Sequence, residues 1–485
     1  MTTDSPSQHD LLTNAERARI DASTGGPVLL FFGSAAFWLV FGLVFETIAS
    51  IQLILPWFLE GISFLTYGRM AQAAQNIFAY GFATPAAIGI GIWLASRMSR
   101  VELDHHKLLT CAGIVWNLGV LVGACGILSG DSTSLPLLAI PGYATPILLL
   151  AYLLVAVWAV LTFFRRKESP LFAAEWFLFA GLLAFPWLFA TASTLLVWNP
   201  VNAPAQPAIA YWFSSGFLNL WLAPIGIAAA LYIIPKATGL PLASHHLNLL
   251  GFWTLLLFGS WTAGSHLIGG PVPASISGTG VAAAVMMVVP ALAIGVNLHL
   301  PLSGHYDTVG WSPALRCLAT AIGCLFSYWI LFAINSLESV NAVMNFSDVN
   351  RALSFLAFYG FFAMAAFGAI YYIVPRLTGR EWACHGGIVW HYWLAAIGIG
   401  LIVIDLLLGG LIQAYALINP IVEFRSAVDF IWPFRFMAAL GTIMLLLSAA
   451  NFALLFAGIL LDTRKNAAPA YLGVRAEDSK EPVAV

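Results

Sequence analysis

The segment VWHYWLAAIGIGLIVIDLLLGGLIQAYA, residues 389–416, decides the fold class of this chain. It contains one carboxylate, Asp405, and neither Lys nor Arg. About 20 consecutive apolar residues are enough for an α-helix to cross the hydrocarbon core of a bilayer. The segment is longer than that, so it predicts a membrane-spanning helix with Asp405 near its middle.

The composition of the whole chain agrees with a membrane protein. Of 485 residues, 60% are hydrophobic and only 9% are charged, and the mean hydropathy is +0.88. Soluble domains carry about 25% charged residues, so lipid must cover most of the outer surface here. The net charge of -2, without any basic run, gives no indication of nucleic-acid binding. The five Cys form no C-x-x-C motif, which excludes a c-type haem attachment of that pattern.

Twelve segments are long and apolar enough to span a bilayer. They run approximately over residues 27–56, 71–96, 108–129, 140–164, 173–197, 209–235, 246–270, 279–302, 314–337, 352–375, 389–416 and 430–461. This pattern predicts an all-α polytopic membrane protein. One membrane domain, 27–461, is expected between a polar N-terminal segment, 1–26, and a polar C-terminal tail, 462–485. We identify no internal repeat in the sequence.

The distribution of Lys and Arg predicts the orientation of these spans. Sixteen of the 20 basic residues fall in the two tails and the even-numbered loops, and only Arg69, Arg351, Arg425 and Arg435 fall in odd-numbered loops. Positive charge is retained on the cytoplasmic side of a membrane. Both termini are therefore expected to be cytoplasmic. The first 26 residues lack the features of a secretory signal, so insertion is expected to use the mature helices.

Three ionisable side chains inside the predicted spans are candidate functional residues, because such groups are costly in lipid. Glu46 lies in the outer half of the first span, and Asp405 near the middle of the eleventh. Each is interpreted either as a protonated carboxyl hydrogen-bonded to a neighbouring helix, or as a proton relay or quinone contact. His266 lies toward the outer end of the seventh span. It is either a metal ligand or an imidazole hydrogen-bonded to a loop.

Several stretches resemble the core subunit of cbb-type cytochrome c oxidases, in the haem–copper oxidase and nitric oxide reductase superfamily. The clearest is YYIVPRLTGREWACHGGIVWHYWLAAIGIG, residues 371–400. Shorter ones follow the family's order along residues 27–461, among them YGR at 67–69, FAYG at 78–81, YIIPK at 232–236 and GFW at 251–253. The resemblance implies the twelve-helix haem–copper oxidase subunit I fold. It also implies two haems and copper, held by histidines of the second, sixth, seventh and tenth spans.

This chain departs from the family at those histidines. Of the six ligands only His266 remains, and the other matching positions are Gln72, Ser215, Leu267, Leu353 and Phe355. The second, sixth and tenth spans contain no histidine. A transmembrane haem needs axial imidazoles that face each other from two helices, and a copper site needs further nitrogen ligands. We therefore expect no haem, copper or other metal in this chain, and we expect Phe355 and Phe358 to fill part of the former haem volume.

These observations favour a pseudo-enzyme, a structural or regulatory subunit of a membrane electron-transfer complex in the bacterial inner membrane. The resemblance implies membrane-anchored c-type cytochromes or other membrane subunits as partners, and the outer loop at 423–432 is a candidate contact. The vacated cavity could hold a quinone or lipid near Glu46 and Asp405. Two alternatives remain. One is an active terminal oxidase or nitric oxide reductase of the respiratory chain, and the other is a transporter or channel.

Overall fold

The computed structural model describes residues 14–133, 135–167, 171–304 and 306–461, and every regular element in these ranges is helical. Eleven helices are long and apolar enough to cross a membrane. With one shorter helix in seventh place, we number them α1 to α12 along the chain. They are α1 Asn14–Gln52, α2 Tyr67–Met98, α3 His106–Ser129, α4 Thr145–Arg165, α5 Ala173–Trp198, α6 Ala203–Thr238, α7 His245–Gly259, α8 Ala274–Leu302, α9 Pro313–Asn335, α10 Val349–Thr378, α11 His385–Ile418 and α12 Phe424–Leu461.

The seventh predicted span differs from its prediction. The sequence predicts one helix over 246–270, whereas α7 has 15 residues and is followed by a short 3-10 helix, Thr262–Leu267. The hydroxyl of Thr262 donates to the Gly259 carbonyl at 3.1 Å, and that of Ser265 donates to the Thr262 carbonyl at 2.8 Å. Such local hydrogen bonds compete with the α-helical pattern. Hydropathy alone cannot detect this break.

The helices form a closed ring of nine around a centre of three. Neighbouring ring helices pack in the order α12, α1, α3, α4, α5, α7, α8, α9 and α11, and α11 returns to α12. The central helices α2, α6 and α10 contact one another. Their apolar stretches are 100%, 94% and 89% buried, whereas those of the other spanning helices are about half buried or less. A helix apolar on all sides belongs in such a protein-enclosed position.

The three central helices share features that reveal an internal repeat. Each has a π-helical segment, at Ile77–Ala83, Phe217–Leu222 and Leu356–Ala363. Each has a basic residue in its last turn, and Lys236 lies 139 positions after Arg97 while Arg376 lies 140 positions after Lys236. A residue with positive φ follows each helix, at Arg100 (52°), Gly239 (71°) and Gly379 (64°). The chain is therefore built from three units of four helices, a repeat that the sequence analysis did not find.

The first helix begins earlier than the sequence predicts. It starts at Asn14, so residues 14–26 are helical although they are polar. Asp21 in this part accepts a hydrogen bond from the Trp93 indole at 2.9 Å and forms an ion pair with Arg97 at 3.0 Å. These contacts with α2 hold the polar end of α1 against the bundle. Residues 1–13 and the tail 462–485 lie outside the described residues.

Candidate functional site

The centre of the bundle is where the resemblance places haem and copper ligands, and the side chains there form other contacts. The Gln72 amide oxygen on α2 accepts a hydrogen bond from the Ser132 hydroxyl at 2.5 Å. Ser354 on α10 donates to the Asn350 carbonyl at 2.9 Å, and its neighbours Leu353 and Phe355 are buried. Ser215 on α6 is half-buried. Amide, hydroxyl and hydrocarbon groups are not the imidazoles that hold haem iron or copper.

Aromatic rings occupy the space between α2 and α10. Phe78 on α2 lies 4.2 Å from Tyr359 and 5.9 Å from Phe358, both on α10, measured between ring centroids. Phe358 also contacts Phe217 of α6 at 6.4 Å. Phe355 stacks on Tyr359 at 5.2 Å. Edge and tilted contacts at these separations are favourable packing for aromatic side chains. The rings thus join all three central helices.

His266 is held between rings and does not form the loop hydrogen bond that one interpretation predicts. Its imidazole stacks on Tyr211 of α6 at a centroid distance of 4.9 Å and an angle of 14°. Phe332 of α9 lies 5.6 Å away on a tilted plane. In the part of the chain that the structure describes, its ring nitrogens form no hydrogen bond, and no group of three or more His, Cys, Asp or Glu could hold a metal.

Glu46 is hydrogen-bonded to a neighbouring helix, as one of its two interpretations predicts, and its partner there is a cation. The Arg351 guanidinium of α10 donates to its carboxylate at 2.8 Å and to the Ser50 hydroxyl at 3.2 Å. The side chains of Glu46 and Arg351 are only 12% and 26% exposed. Arg351 falls in a predicted loop, so the sequence gives no reason to pair it with Glu46.

A second ion pair lies beside the first. The Arg435 guanidinium of α12 donates to the Asp348 carboxylate at 2.8 Å, and the Asp348 backbone N–H donates to the Gln413 side chain of α11. Arg351 and Arg435 both line a cavity of about 10 Å³, which is about the room that one water molecule needs. The two pairs tie α1, α10, α11 and α12 together near the N-terminal end of α10.

A buried histidine, His391, lies inside α11 and was not among the candidate residues predicted from the sequence. Its Nδ1 is 2.9 Å from the Tyr371 hydroxyl of α10, and the Ser448 hydroxyl of α12 donates to its backbone carbonyl at 2.8 Å. Phe367 stands perpendicular to the imidazole at 4.5 Å. Tyr371 and His391 both lie in the stretch 371–400 that carries the family resemblance. This was the sequence feature that could have identified their contact. The contacts indicate a packing role for this imidazole.

Asp405 and Glu46 are not brought together into one site. Asp405 is half-buried on α11, between the outward-facing Ile404 and the buried Leu406. Among the residues that the structure describes, it forms neither a hydrogen bond nor an ion pair. The predicted hydrogen bond to a neighbouring helix is therefore wrong for Asp405. Glu46 faces the interior, whereas Asp405 lies at the edge of the outward surface. The two carboxyl groups therefore do not line one ligand site.

Comparisons with known proteins agree with this architecture. The family model for cytochrome c and quinol oxidase polypeptide I matches residues 26–444. A cytochrome c oxidase subunit 1 homolog of Agrobacterium tumefaciens is 25% identical over 443 residues, which cover 86% of this chain and 80% of the relative. One of Azorhizobium caulinodans is 23% identical over 433 residues, covering 85% and 78%. The cbb3-type subunit CcoN1 of Stutzerimonas stutzeri is 22% identical over 390 residues, covering 78% and 81%.

The fold is also found among solved structures. A cryo-EM structure of a haem–copper terminal oxidase dimer is similar with a TM-score of 0.72 at 14% identity, covering 95% of this chain and 87% of that chain. This likeness confirms the predicted subunit I fold. Because the family model spans most of the chain, from the first helix into the last, this integral membrane protein belongs to the cytochrome c and quinol oxidase polypeptide I family.

Proposed function

We propose that this chain is a subunit I-like membrane protein that binds neither haem nor copper and serves as a structural or regulatory subunit of a membrane electron-transfer complex. The single observation that carries the proposal is the aromatic contact between α2 and α10. Phe78 and Tyr359 lie 4.2 Å apart there, next to positions where histidines are replaced by Gln72, Leu353 and Phe355.

Both the packing and the available ligands argue against a haem between α2 and α10. A haem inserted between α2 and α10 would need an axial ligand on each helix, and neither helix contains the histidine that the resemblance implies. It would also have to displace Phe78, which is 4% exposed, and Tyr359, which is 9% exposed. Protein interiors are packed as densely as organic crystals, so displaced rings of this size have no free volume to enter.

The partners that we propose are membrane-anchored c-type cytochromes or other membrane subunits. The curated relatives are named as cytochrome c oxidase subunits, which are parts of larger assemblies by name. The outer end of α12 offers exposed aromatic side chains at Phe424, Phe430 and Trp432, and aromatic residues are enriched in protein interfaces. The bacterial origin of these relatives supports placement in the inner membrane.

Haem and metal content test the proposal. We expect the purified chain to contain less than about a tenth of a haem and a tenth of a copper per molecule, with a flat reduced-minus-oxidised spectrum. The Stutzerimonas stutzeri cbb3-type oxidase, expressed in the same host, is the control that haem and copper are supplied. Stoichiometric b-type haem in this chain would overturn the proposal and restore an active oxidase or nitric oxide reductase as the function.

A further inference from the structure

Asp405 lies close to the centre of α11, a helix of 34 residues, without any partner among the described residues. A carboxyl group at the middle of a bilayer costs about 3 kcal/mol when it faces lipid. Such residues pair with another polar group in most membrane proteins. A group of this kind at the edge of an outward surface therefore indicates that something covers it in the assembled state.

The surface beside Asp405 has the pattern of a helix–helix contact. Outward side chains of α11 recur at intervals of three, four or seven residues, at Trp393, Ile397, Ile404, Leu408, Leu411 and Tyr415, each at least 46% exposed. This is the spacing of a seam between two parallel or antiparallel helices. We call these six residues the α11 stripe.

Gly400 fits the same contact. It continues the spacing of the α11 stripe between Ile397 and Ile404, and a Cβ atom placed on it would meet no atom within 4 Å. Small residues allow the backbones of membrane helices to approach closely. The other side of α11 packs against α12, α10 and α9, so the stripe remains available to a further helix.

Asp405 and the α11 stripe together indicate which kind of partner binds this surface. Lipid chains carry no hydrogen-bond donor for a carboxylate. A second copy of this chain presenting the same surface would bring a second Asp405. It would bring no cation, since all residues of the α11 stripe are apolar or aromatic. Two nearby carboxylates repel each other. A helix that bears Lys, Arg or His at the same depth would instead satisfy the charge.

We propose that the α11 stripe binds a transmembrane helix of a different subunit, and that a basic side chain of this helix pairs with Asp405. The inference rests on the proposed role as a subunit of a larger complex and names the surface that contacts the partner. It predicts that Asp405 matters for assembly and does not matter for the folding of the isolated chain.

Site-specific photocross-linking in the native membrane tests the proposal. A photoreactive amino acid would be placed in the full-length chain at Ile404 or Leu408, with Leu153 on α4, which is 42% exposed, as the control position. We expect cross-links from the first two positions to a membrane segment that contains Lys, Arg or His. The Asp405→Leu and Asp405→Asn variants should lower the yield at least tenfold, and Asp405→Glu should retain it.

Further measurements separate the possible outcomes. Replacing the partner's basic residue by Leu should reproduce the tenfold loss. Cross-links only to lipid or to a second copy of this chain would overturn the proposal, as would an unchanged yield in Asp405→Leu. The isolated Asp405→Leu chain should keep its melting temperature, so lost cross-linking is not lost folding. If the chain is haem-free but these cross-linking results are not obtained, the proposed function still stands and only the role of Asp405 is overturned. Stoichiometric haem would overturn the proposed function without testing the role of Asp405.

Discussion

At the scale of single residues, three ion pairs lie inside the bundle. Glu46 pairs with Arg351, Asp348 with Arg435 and Asp21 with Arg97, and all six side chains are about a quarter exposed or less. A charge taken out of water is tolerated only when a partner and further hydrogen bonds compensate for its lost hydration. Asp405, near the middle of its span, has no such partner among the described residues, which is why we assign its partner to another polypeptide.

Breaking the Glu46–Arg351 pair should destabilise the protein. We expect Arg351→Ala to lower the free energy of unfolding by about 3 kcal/mol, because it leaves the Glu46 carboxylate buried without its cation. Thermal unfolding of the purified protein in detergent measures the change.

The matched control is an ion pair that water reaches. Arg165 and Asp104 form a pair whose side chains are 53% and 57% exposed, so Arg165→Ala should change the free energy by less than about 1 kcal/mol. The double variant Glu46→Gln with Arg351→Met should recover part of the loss, since it removes both charges. Equal effects of Arg351→Ala and Arg165→Ala would show that the Glu46–Arg351 pair is not protected from water.

At the scale of elements, close backbone contacts explain features that hydropathy cannot. The 3-10 helix Thr262–Leu267 crosses the start of α8 at a glycine pair, and a Cβ on Gly280 would lie 2.2 Å from the Ser265 nitrogen and 2.3 Å from the Gly264 carbonyl carbon. Neither backbone can move without displacing its helix. The same crossing holds His266 beside α6, where it stacks on Tyr211.

A single methyl group should therefore disrupt this crossing. We expect Gly280→Ala to lower the free energy of unfolding by about 1–3 kcal/mol or more, as overpacking does in dense interiors. Gly278→Ala, two residues earlier in α8, meets nothing within 4 Å and should be neutral or stabilising by up to about 1 kcal/mol because of its better helix propensity. Melting temperatures and folded yields of the two variants measure this. Similar values for both would contradict the close contact between Gly264 and Gly280.

At the scale of the whole molecule, three units of four helices place one helix each at the centre. The basic residues Arg97, Lys236 and Arg376 then lie at the same end of α2, α6 and α10, which is the end that the charge distribution predicts to face the cytoplasm. Phe346, by contrast, is 86% exposed between α9 and α10 at the opposite end. The bundle therefore has one orientation in the membrane, which the charges at its two ends predict.

Cysteine labelling tests this orientation. In spheroplasts, a chain whose other cysteines are replaced and which keeps only the exposed Cys384 should react with a membrane-impermeant maleimide only after permeabilisation. A cysteine-free chain carrying Phe346→Cys should react in intact spheroplasts. These results follow from retention of positive charge on the cytoplasmic side. The reverse pattern would place both termini outside.

The sequence by itself determined the class of fold, the location of eleven helices and the family resemblance. Hydropathy is a local property, and a helix in lipid satisfies its backbone groups within its own segment, so each span can be recognised alone. The absence of histidine from α2, α6 and α10 is likewise visible in the sequence. The repeat was also accessible, because basic residues at intervals of 139 and 140 residues are a sequence pattern, although a weak one.

Only the tertiary structure decided which side chains meet. Glu46 and Arg351 are 305 residues apart in sequence, and neither periodicity nor composition carries information about such a pair. The same holds for His266 between Tyr211 and Phe332 and for the rings that join α2 to α10. That Asp405 has no partner among the described residues could emerge only in this way. Whether a charge within a span is matched depends on the helices packed around it, and the packing is set by the shapes of all twelve together.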